Sequence, residues 1–408
     1  MNGEAKPRIM ALFGSAVVFG QERGNIEALA ALEARGCEVL CLIRNEPWSV
    51  TVPQALDARG LAWCKVPYIE HWQPGRLPWV VFRNPIAFMI ANWKFVRIAR
   101  AFRPTHIHAF NALFTSNFLV GLKILGVPMV YRAGDEPTVH RWIWRVMWRF
   151  VVGRTDRFVA NSRFVARALT GNGVPGDRIS LIYNAPPARG TAPMPSTALP
   201  ARPGLRFITF VGQIAEHKGP HILVEAFAQL ANDFPEAYLL IAGRISEWRG
   251  DWWGQALRDR AGADPLLAGR VTFLGQVDYV PALLGLTEVH VAPSIFDDPS
   301  PNVVMEAKRA ACPSVVFARG GLPELVEDGV DGLVCTEPTA EALAATLRAY
   351  LEDPALARRH GQAARASLAR LGVDGFEQAW VTVYRSTSRA PADGTRAHLR
   401  RTPPRLLP

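Results

Sequence analysis

The chain has 408 residues, of which 49% are hydrophobic and 20% are charged, and its formal net charge is +10. Such a composition indicates a globular protein long enough for two domains and excludes disorder over most of the chain. The positive charge favours an acidic partner, which could be a phosphorylated small molecule, an anionic membrane surface or nucleic acid. The cysteines show no CxxC or metal-ligand spacing, so we expect reduced thiols of a cytoplasmic protein, without disulfides or zinc. They are Cys37, Cys41, Cys64, Cys312 and Cys335.

The first half of the chain shows the alternation of strands and helices that is typical of βαβ units. A strand at 8–15 leads through a loop containing Gly20 into a helix that Gly36 terminates, and a second strand follows. The apolar start resembles a signal peptide faintly, but no small-residue cleavage site is clear, so we interpret it as strand and loop. Further strands in THIHAF, PMVYRAG and RFVANS predict a mostly parallel sheet with helices on both faces.

A basic, aromatic stretch at 140–154 predicts an amphipathic helix. Arg141, Arg145 and Arg149 recur every four residues among three tryptophans. The stretch is too short and too charged to span a bilayer, but arginine with tryptophan suits an anionic membrane interface, as does the stretch at 78–100. The alternative is a helix buried between domains whose arginines extend to solvent. We identify no stacking platform or reading helix, so nucleic acid is not an expected partner.

A segment rich in proline, alanine and small residues, 183–204, is interpreted as a linker between two halves. A second series of strands and helices follows it. We therefore expect two Rossmann-like α/β domains, 1–190 and 204–370, that face each other across a ligand-binding cleft where strand ends meet. A helix at about 372–386 is expected to pack back on the first domain, and the basic tail at 387–408 is expected to be disordered.

Lys218 lies in a loop between a strand that ends at Gly212 and a helix opened by Gly219 and Pro220. A helix N-terminus offers unpaired N–H groups and a partial positive charge, and the lysine adds a full one. The loop therefore suits an anionic ligand. The alternative is an ordinary strand-loop-helix unit with a solvated lysine.

The stretch 293–334 places acids, prolines and paired glycines around apolar runs. Ser300 is expected to cap a helix that begins at Pro301, which would expose the N–H groups of Asn302 and Val303 toward the cleft.

Two carboxylates flank this helix start. Asp298 precedes the cap, and Glu306 follows just over one turn into the helix, so both could lie near one ligand. Each hydroxyl of a ribose diol can donate a hydrogen bond to an ionised carboxylate, which makes a ribose a natural partner. The alternative pairs Glu306 with Lys308 or Arg309 on the helix surface and leaves Asp298 as a turn acid.

Taken together, these segments resemble the retaining nucleotide-sugar glycosyltransferases of the large family four, which have the GT-B fold. The segments are FVGQIAEHKGPHILVEAF, VTFLGQV and DPSPNVVMEAKRAACPSVVFARGGLPELVEDGVDGLV. Asp298 and Glu306 match the two acids of the family's E-x7-E motif, with aspartate in the first position. The similarity is specific over 207–384 and extends to the first half only in outline.

The resemblance implies a role at the donor for each matching residue. Lys218 would contact the donor diphosphate, Glu306 would hold the donor ribose, and Asp298 would meet hydroxyls of the transferred sugar. The N–H groups near Asn302 and Val303 would assist. Catalysis would then depend on Asp298 and Lys218, without a metal ion and without a cofactor besides the donor substrate.

The chain departs from the family pattern at the diphosphate clamp. The family usually has arginine after the strand glycine, where this chain has Gln213. Arg244, which follows the strand LLIAG, is the candidate to supply the missing charge. The resemblance also places Val277, in VTFLGQV, at the donor site.

The first half offers its own candidates at strand ends and in one loop. His106 and His108 occupy alternate positions of a strand and point the same way. The resemblance places a histidine near this strand end, close to the donor sugar, and favours His108, although an isolated strand histidine is often structural. The residues at 134–136 form a candidate acceptor rim, and backbone N–H groups at Gly20 are expected to face the cleft.

The leading hypothesis is a metal-independent retaining glycosyltransferase that moves a sugar from a nucleoside-diphosphate sugar to a hydroxyl of a glycan or lipid-linked acceptor. Polysaccharide or glycolipid synthesis on the inner face of the plasma membrane is the expected setting. Alternatives are a catalytically weak family member that acts as a membrane-associated assembly partner, and a nucleotide-sugar 2-epimerase. A dinucleotide-dependent oxidoreductase is disfavoured, because GSAVVFGQERG does not fit the GxGxxG expected after the first strand.

Overall fold

The computed structural model describes residues 6–46, 50–67, 85–186, 193–195, 199–200, 202–245 and 252–387. The strands in these ranges form two separate sheets, and their pairs are parallel throughout. Two parallel α/β sheets are the architecture that the sequence predicts. The boundaries expected at 190 and 204 fall in a region described only in part and stay predictions, and 388–408 lie outside the described residues.

The first sheet has its strands in the order β3-β2-β1-β4-β5-β6-β7, with the following bounds. They are β1 Arg8–Phe13, β2 Glu38–Arg44, β3 Ala62–Val66, β4 His106–Ala109, β5 Met129–Ala133, β6 Arg157–Ala160 and β7 Ile179–Leu181. The helices of this half are α1 Gly20–Ala34, α2 Thr51–Asp57, α3 Pro85–Phe102, α4 Ala112–Ser116, α5 Leu119–Leu125, α6 Trp142–Arg154 and α7 Arg163–Gly171. The edge strands β3 and β7 were not predicted, because they are short and only partly buried.

The second sheet has its strands in the order β10-β9-β8-β11-β12-β13, again with bounds given in chain order. They are β8 Arg206–Val211, β9 Ala237–Ala242, β10 Val271–Gly275, β11 Thr287–Ala292, β12 Ser314–Phe317 and β13 Gly332–Cys335. The helices are α8 Pro220–Leu230, α9 Trp252–Ala263, α10 Val280–Gly285, α11 Asn302–Arg309, α12 Leu322–Leu325, α13 Ala340–Glu352, α14 Pro354–Arg370 and α15 Phe376–Thr387. None of these described helices, in either half, is long and apolar enough to cross a membrane.

Strand β1 shows why the central strands are apolar without interruption. Ile9, Ala11 and Phe13 pack into a core on one face of the first sheet, and Met10 and Leu12 pack into a second core on the other face. Side chains alternate between the faces of a strand, so a strand covered on both faces has no polar side. The result is a sheet enclosed between helical layers.

The last helix, α15, returns to the first sheet. Trp380 and Tyr384 are buried in the same core as Ile9 and Phe13, and α15 packs along α1. A salt bridge of 2.7 Å between Arg35 and Glu377 closes the outer edge of this contact. The chain therefore crosses twice between the two α/β units.

Both sheets reverse their strand order at a defined point. The reversal falls between β1 and β4 in the first sheet and between β8 and β11 in the second. Open α/β sheets bind ligands outside the carboxyl ends of strands at such a reversal. The loops that follow β8 and β11 contain Lys218 and Asp298, so the topology places both predicted donor residues at this position.

Candidate functional site

The acid stretch lies in an irregular loop between β11 and α11. Asp298 is in this loop and is only 5% exposed. Gly321 N–H donates to the carbonyl oxygen of Asp298 at 2.8 Å, and a Cβ atom on Gly321 would lie 2.0 Å from the carbonyl oxygen of Pro299. The paired glycines therefore allow their turn to lie directly against the loop and hold Asp298 in place.

Lys218 lies opposite Asp298, in the loop that follows β8. Its Nζ atom is 2.5 Å from Asp298 Oδ2 and 4.6 Å from the centre of the Phe296 ring. The next residue, Gly219, has φ of +70°, and a Cβ atom there would lie 1.9 Å from the carbonyl oxygen of Pro293. Because only glycine fits this approach, the two loops pack together and present the cation and the carboxylate as a pair.

Glu306 lies on α11 and is 5% exposed, so it is not the surface acid of the alternative interpretation. Lys308, one partner considered for it, instead pairs with Asp331 at 2.8 Å, and both of these side chains are almost fully buried. Burial lowers the pKa of Arg309, and the charge of nearby Glu306 opposes that shift. Glu306 is therefore an enclosed carboxylate eight residues after Asp298, and its contact with a ribose stays a prediction.

The start of α11 differs from the prediction. The helix begins at Asn302 with Pro301 as its N-cap residue, so Ser300 does not cap it. Pro301 adopts an extended ψ of 121°, which keeps it outside the helix, and Ser300 Oγ is buried without a hydrogen-bond partner in the described part of the chain. Asn302 and Val303 form the first turn, whose N–H groups a helix cannot satisfy internally.

Asn184 joins the two domains at this point. Its Oδ1 accepts a hydrogen bond from Arg132 Nη2 at 2.6 Å, and its Nδ2 donates to Asn302 Oδ1 at 2.9 Å. Asn302 Nδ2 in turn donates to the carbonyl oxygen of Gly20 at 3.2 Å. Gly20 was expected to offer an N–H group to the cleft, and the contact seen here is made by its carbonyl oxygen. Asn302 thus connects the domains as well as opening α11.

Glu324 forms a second bridge between the domains. Its carboxylate accepts hydrogen bonds from the N–H groups of Arg163 and Phe164, both at 2.6 Å, and from the Tyr183 hydroxyl at 3.1 Å. Arg163 and Phe164 open α7, where a carboxylate complements the helix dipole. The sequence analysis singled out neither residue: Glu324 lies in the stretch 298–334 without a role assigned to it, and Asn184 lies in the segment interpreted as a linker.

A cavity of about 640 Å³ lies between the domains at the ends of β8 and β9. Three of the predicted donor residues, Gln213, Arg244 and Val277, line it from the second domain, and parts of α1 and α2 line it from the first. Gly243 has φ of +144°, and a Cβ atom there would lie 1.6 Å from the carbonyl oxygen of Gly212. The segments that follow β8 and β9 therefore stay side by side beyond the ends of these strands. They bring Gln213 and Arg244 into one cavity. The predicted donor residues divide between this cavity and the acid loop.

His108 is fully buried and does not face the cleft. Its Nδ1 is 2.6 Å from Tyr384 Oη, and its Nε2 is 2.8 Å from Asn25 Oδ1. Burial lowers the pKa of His108 to about 3, which keeps the ring neutral. His106, on the same face of β4, contacts the Tyr384 ring edge-on. This geometry contradicts the predicted catalytic role of His108, which instead anchors α15 to the first sheet.

A second cavity, of about 270 Å³, lies at the ends of β4 and β5. Asp135 and Glu136 line it together with aromatic side chains that include Tyr131 and Trp144. Asp135 is solvent-exposed, but the protein atoms around it desolvate its carboxylate and raise its pKa to about 6, and the charge of Asp298 in the other domain contributes to the increase. The residues predicted as an acceptor rim therefore lie within electrostatic range of the Lys218–Asp298 pair.

Two protein-family models match the chain. Residues 197–367 match Glycosyl transferases group 1, and residues 18–186 match Glycosyltransferase Family 4. Glycogen synthase of Mycobacterium tuberculosis is 30% identical over 319 residues, which cover 75% of this chain and 73% of that protein. Phosphatidyl-myo-inositol mannosyltransferase of Mycolicibacterium smegmatis is 33% identical over 165 residues, which cover 40% of each chain.

The fold is also that of a solved structure. Anabaena HepE in complex with UDP and glucose superimposes with a TM-score of 0.73 at 20% identity, over 93% of this chain and 99% of that chain. At this identity the superposition shows a shared fold, and the sequence matches above carry the family assignment. The chain is a member of glycosyltransferase family 4 with the two-domain GT-B architecture.

Proposed function

We propose that the protein is a retaining glycosyltransferase that moves a sugar from a nucleoside-diphosphate sugar to a hydroxyl of a glycan or lipid-linked acceptor, in polysaccharide or glycolipid synthesis. The observation that carries the proposal is the pair formed by Lys218 and Asp298 at the strand reversal of the second sheet. Asp135 of the first domain lies in electrostatic range of this pair, which supports one cleft for donor and acceptor.

In this proposal the second domain holds the donor. Lys218 and the first-turn N–H groups of α11 stabilise the negative charge that grows on the departing diphosphate. Glu306 binds the ribose, and Asp298 orients hydroxyls of the transferred sugar. HepE holds UDP and glucose in its solved structure, which supports a nucleotide sugar as the donor here.

Retention of configuration needs no protein nucleophile in this mechanism. Asp298 Oδ2 is bound by Lys218, and its backbone is fixed by Gly321, so this carboxylate serves to orient. The acceptor oxygen forms its bond to the anomeric carbon on the face from which the diphosphate oxygen leaves. The acceptor proton departs with the diphosphate, which balances the reaction.

A nucleotide-sugar screen followed by product analysis tests the proposal. We expect one nucleoside diphosphate among UDP, GDP and ADP to raise the melting temperature, and NMR of the transfer product to show the donor's anomeric configuration. An inverted product would contradict the mechanism, and an epimerised free sugar would identify an epimerase. Binding without transfer to any acceptor favours the assembly-partner function, which the uncharged Gln213 in the donor cavity supports.

Arg244 provides a prediction about the diphosphate clamp. We expect Arg244→Ala to weaken UDP binding by about tenfold and uridine binding by less than about twofold, since a charge-assisted hydrogen bond is lost only with the diphosphate. Gln213→Arg is expected to strengthen UDP binding. Calorimetry measures both, with Arg358→Ala, an exposed arginine of α14 outside the cavity, as the matched control. Equal losses of affinity for UDP and uridine would show that Arg244 does not contact the diphosphate.

We also propose peripheral attachment to an anionic membrane, through α3 and not mainly through α6. On α6, Trp148 is buried and Trp144 lines the acceptor-side cavity, which leaves Trp142 and Val146 as its exposed large apolar side chains. On α3, Ile86 and Met89 are each 70% exposed and Trp93 is 58% exposed. Exposed Lys94, Arg97 and Arg100 lie on the same helix, and each basic residue near an anionic surface adds about 1 kcal/mol.

Vesicle co-sedimentation checks this attachment. We expect the protein to sediment with anionic vesicles at low salt and to be released as salt rises, and Met89→Ser with Trp93→Ser to abolish most of the binding. Trp252→Ser is the matched control, because Trp252 is also 70% exposed but lies on the second domain. An equal loss with both variants, or no sedimentation of the unmodified protein, would contradict the proposal.

A further inference from the structure

We propose that the cavity beside Asp135 accepts an uncharged sugar ring as the acceptor and rejects the same sugar when it carries a phosphate. This inference rests on the transferase function proposed above. The cavity measures about 270 Å³, near the lower end of the roughly 300–1,000 Å³ of small-molecule sites, so it suits a single ring. Among the described residues that line it are two carboxylates and no lysine or arginine.

The aromatic walls of the cavity are rigid. Tyr131 and Trp148 meet edge-to-face with their ring centres 5.8 Å apart, and Trp148 Nε1 donates to the carbonyl oxygen of Asn172 at 2.8 Å. Trp144 lies one helical turn before Trp148 on α6 and is only partly buried. A sugar ring has apolar C–H faces and a rim of hydroxyls, so fixed aromatic walls with carboxylates at the edge match both parts.

The charges around the cavity oppose a phosphate. Asp135 and Glu136 line it, and the nearby Asp298 is negative as well. Of the two cations that influence Asp135, Lys218 binds Asp298 at 2.5 Å, and Arg132 donates through Nη2 to Asn184 while its Nη1 has no partner among the described residues. Arg132 is only 2% exposed and does not line the cavity, so a phosphate there would face carboxylates and reach no cation on the cavity wall.

A hydroxyl, in contrast, meets a suitable acceptor. The carboxylate of Asp135 can accept a hydrogen bond from the acceptor hydroxyl and turn its oxygen toward the Lys218–Asp298 pair. Partial desolvation and the charge of Asp298 raise the pKa of Asp135 to about 6, so it remains largely ionised at pH 7.5. Glu22 adds further negative charge from α1, and Arg132 and Lys218 are the cations in range.

The test compares the affinities of matched sugars for the full-length protein. The protein is first saturated with the nucleoside diphosphate that it binds. The probes are methyl glucoside, methyl mannoside and methyl galactoside, each with and without a 6-phosphate, and saturation-transfer NMR at pH 7.5 measures their dissociation constants. We expect at least one neutral sugar to bind. The dissociation constant of the same sugar with a 6-phosphate should be at least about tenfold higher. Equal or tighter binding of the phosphorylated member, or no binding of any neutral member, would overturn the inference.

Two variants locate the effect in the cavity. We expect Trp144→Ala to weaken binding of the neutral sugar about tenfold. Trp142 is an exposed tryptophan on the same helix outside the cavity, and we expect Trp142→Ala to leave this binding unchanged. Glu136→Lys is expected to reduce the preference against phosphate by about tenfold. Equal effects of the two tryptophan variants would overturn the assignment. Nucleotide thermal shifts on the same samples report on the donor site separately, so loss of nucleotide binding counts against the transferase proposal alone.

Discussion

Replacing Lys218 with methionine is expected to lower kcat for sugar transfer by about 10²–10³-fold, the effect of removing one group that stabilises developing charge in a transition state. The ammonium group lies 2.5 Å from Asp298 Oδ2, at the position where the proposed mechanism needs a cation for the leaving diphosphate. Methionine is also unbranched and only one heavy atom shorter, and it removes the charge together with the N–H donors. Steady-state kinetics with the cognate nucleotide sugar provide the measurement.

The substitution also leaves the nearly buried Asp298 without its cation, so a loss of stability has to be separated from a loss of catalysis. The double variant Lys218→Met with Asp298→Asn removes both charges. We expect it to regain much of the melting temperature lost in the single variant, while transfer stays at the low level. Recovery of activity together with stability would show that Lys218 serves the fold and not the diphosphate.

The sequence predicts the two parallel sheets because their strands are buried on both faces. Ile9 to Phe13 read as an unbroken apolar run, and the helices between such runs have clear periodicity and glycine ends. The edge strands Ala62–Val66 and Ile179–Leu181 were missed, since they are short and carry no such pattern, whereas the edge strand Val271–Gly275 was predicted. Burial on both faces therefore makes the central strands predictable from the sequence, while the edge strands are predicted only in part.

The candidate site could be predicted where its residues belong to recognisable sequence motifs. Lys218 and Asp298 come from separate motifs, and the strand reversal brings them within 2.5 Å. His108 was misassigned because alternation along a strand gives the face of a side chain but not what covers that face. Its partner Tyr384 is 276 positions further along the chain, on a helix that returns to the first sheet. Contacts of that kind depend on the complete fold.

Replacing Gly219 with alanine adds only one methyl group. We nevertheless expect it to destabilise the protein and to lower transfer activity strongly. A Cβ atom there would lie 1.9 Å from the carbonyl oxygen of Pro293, which is backbone and cannot rotate away. The loop that carries Lys218 and the loop that carries Asp298 must then separate. A misplacement of about 1 Å at a reacting centre costs on the order of 10²-fold in rate.

Gly60→Ala is the matched control, because Gly60 also has φ of +70° but a Cβ atom there would meet nothing within 4 Å. Both variants carry the strain of alanine in the left-handed region, about 1–2 kcal/mol in the free energy of unfolding. Only Gly219→Ala adds the clash, which overpacking data place at about 1–3 kcal/mol further. Urea unfolding and steady-state kinetics on the two variants give the comparison. If both lose the same stability and Gly219→Ala keeps its kcat, the packing of these two loops does not position the Lys218–Asp298 pair for catalysis.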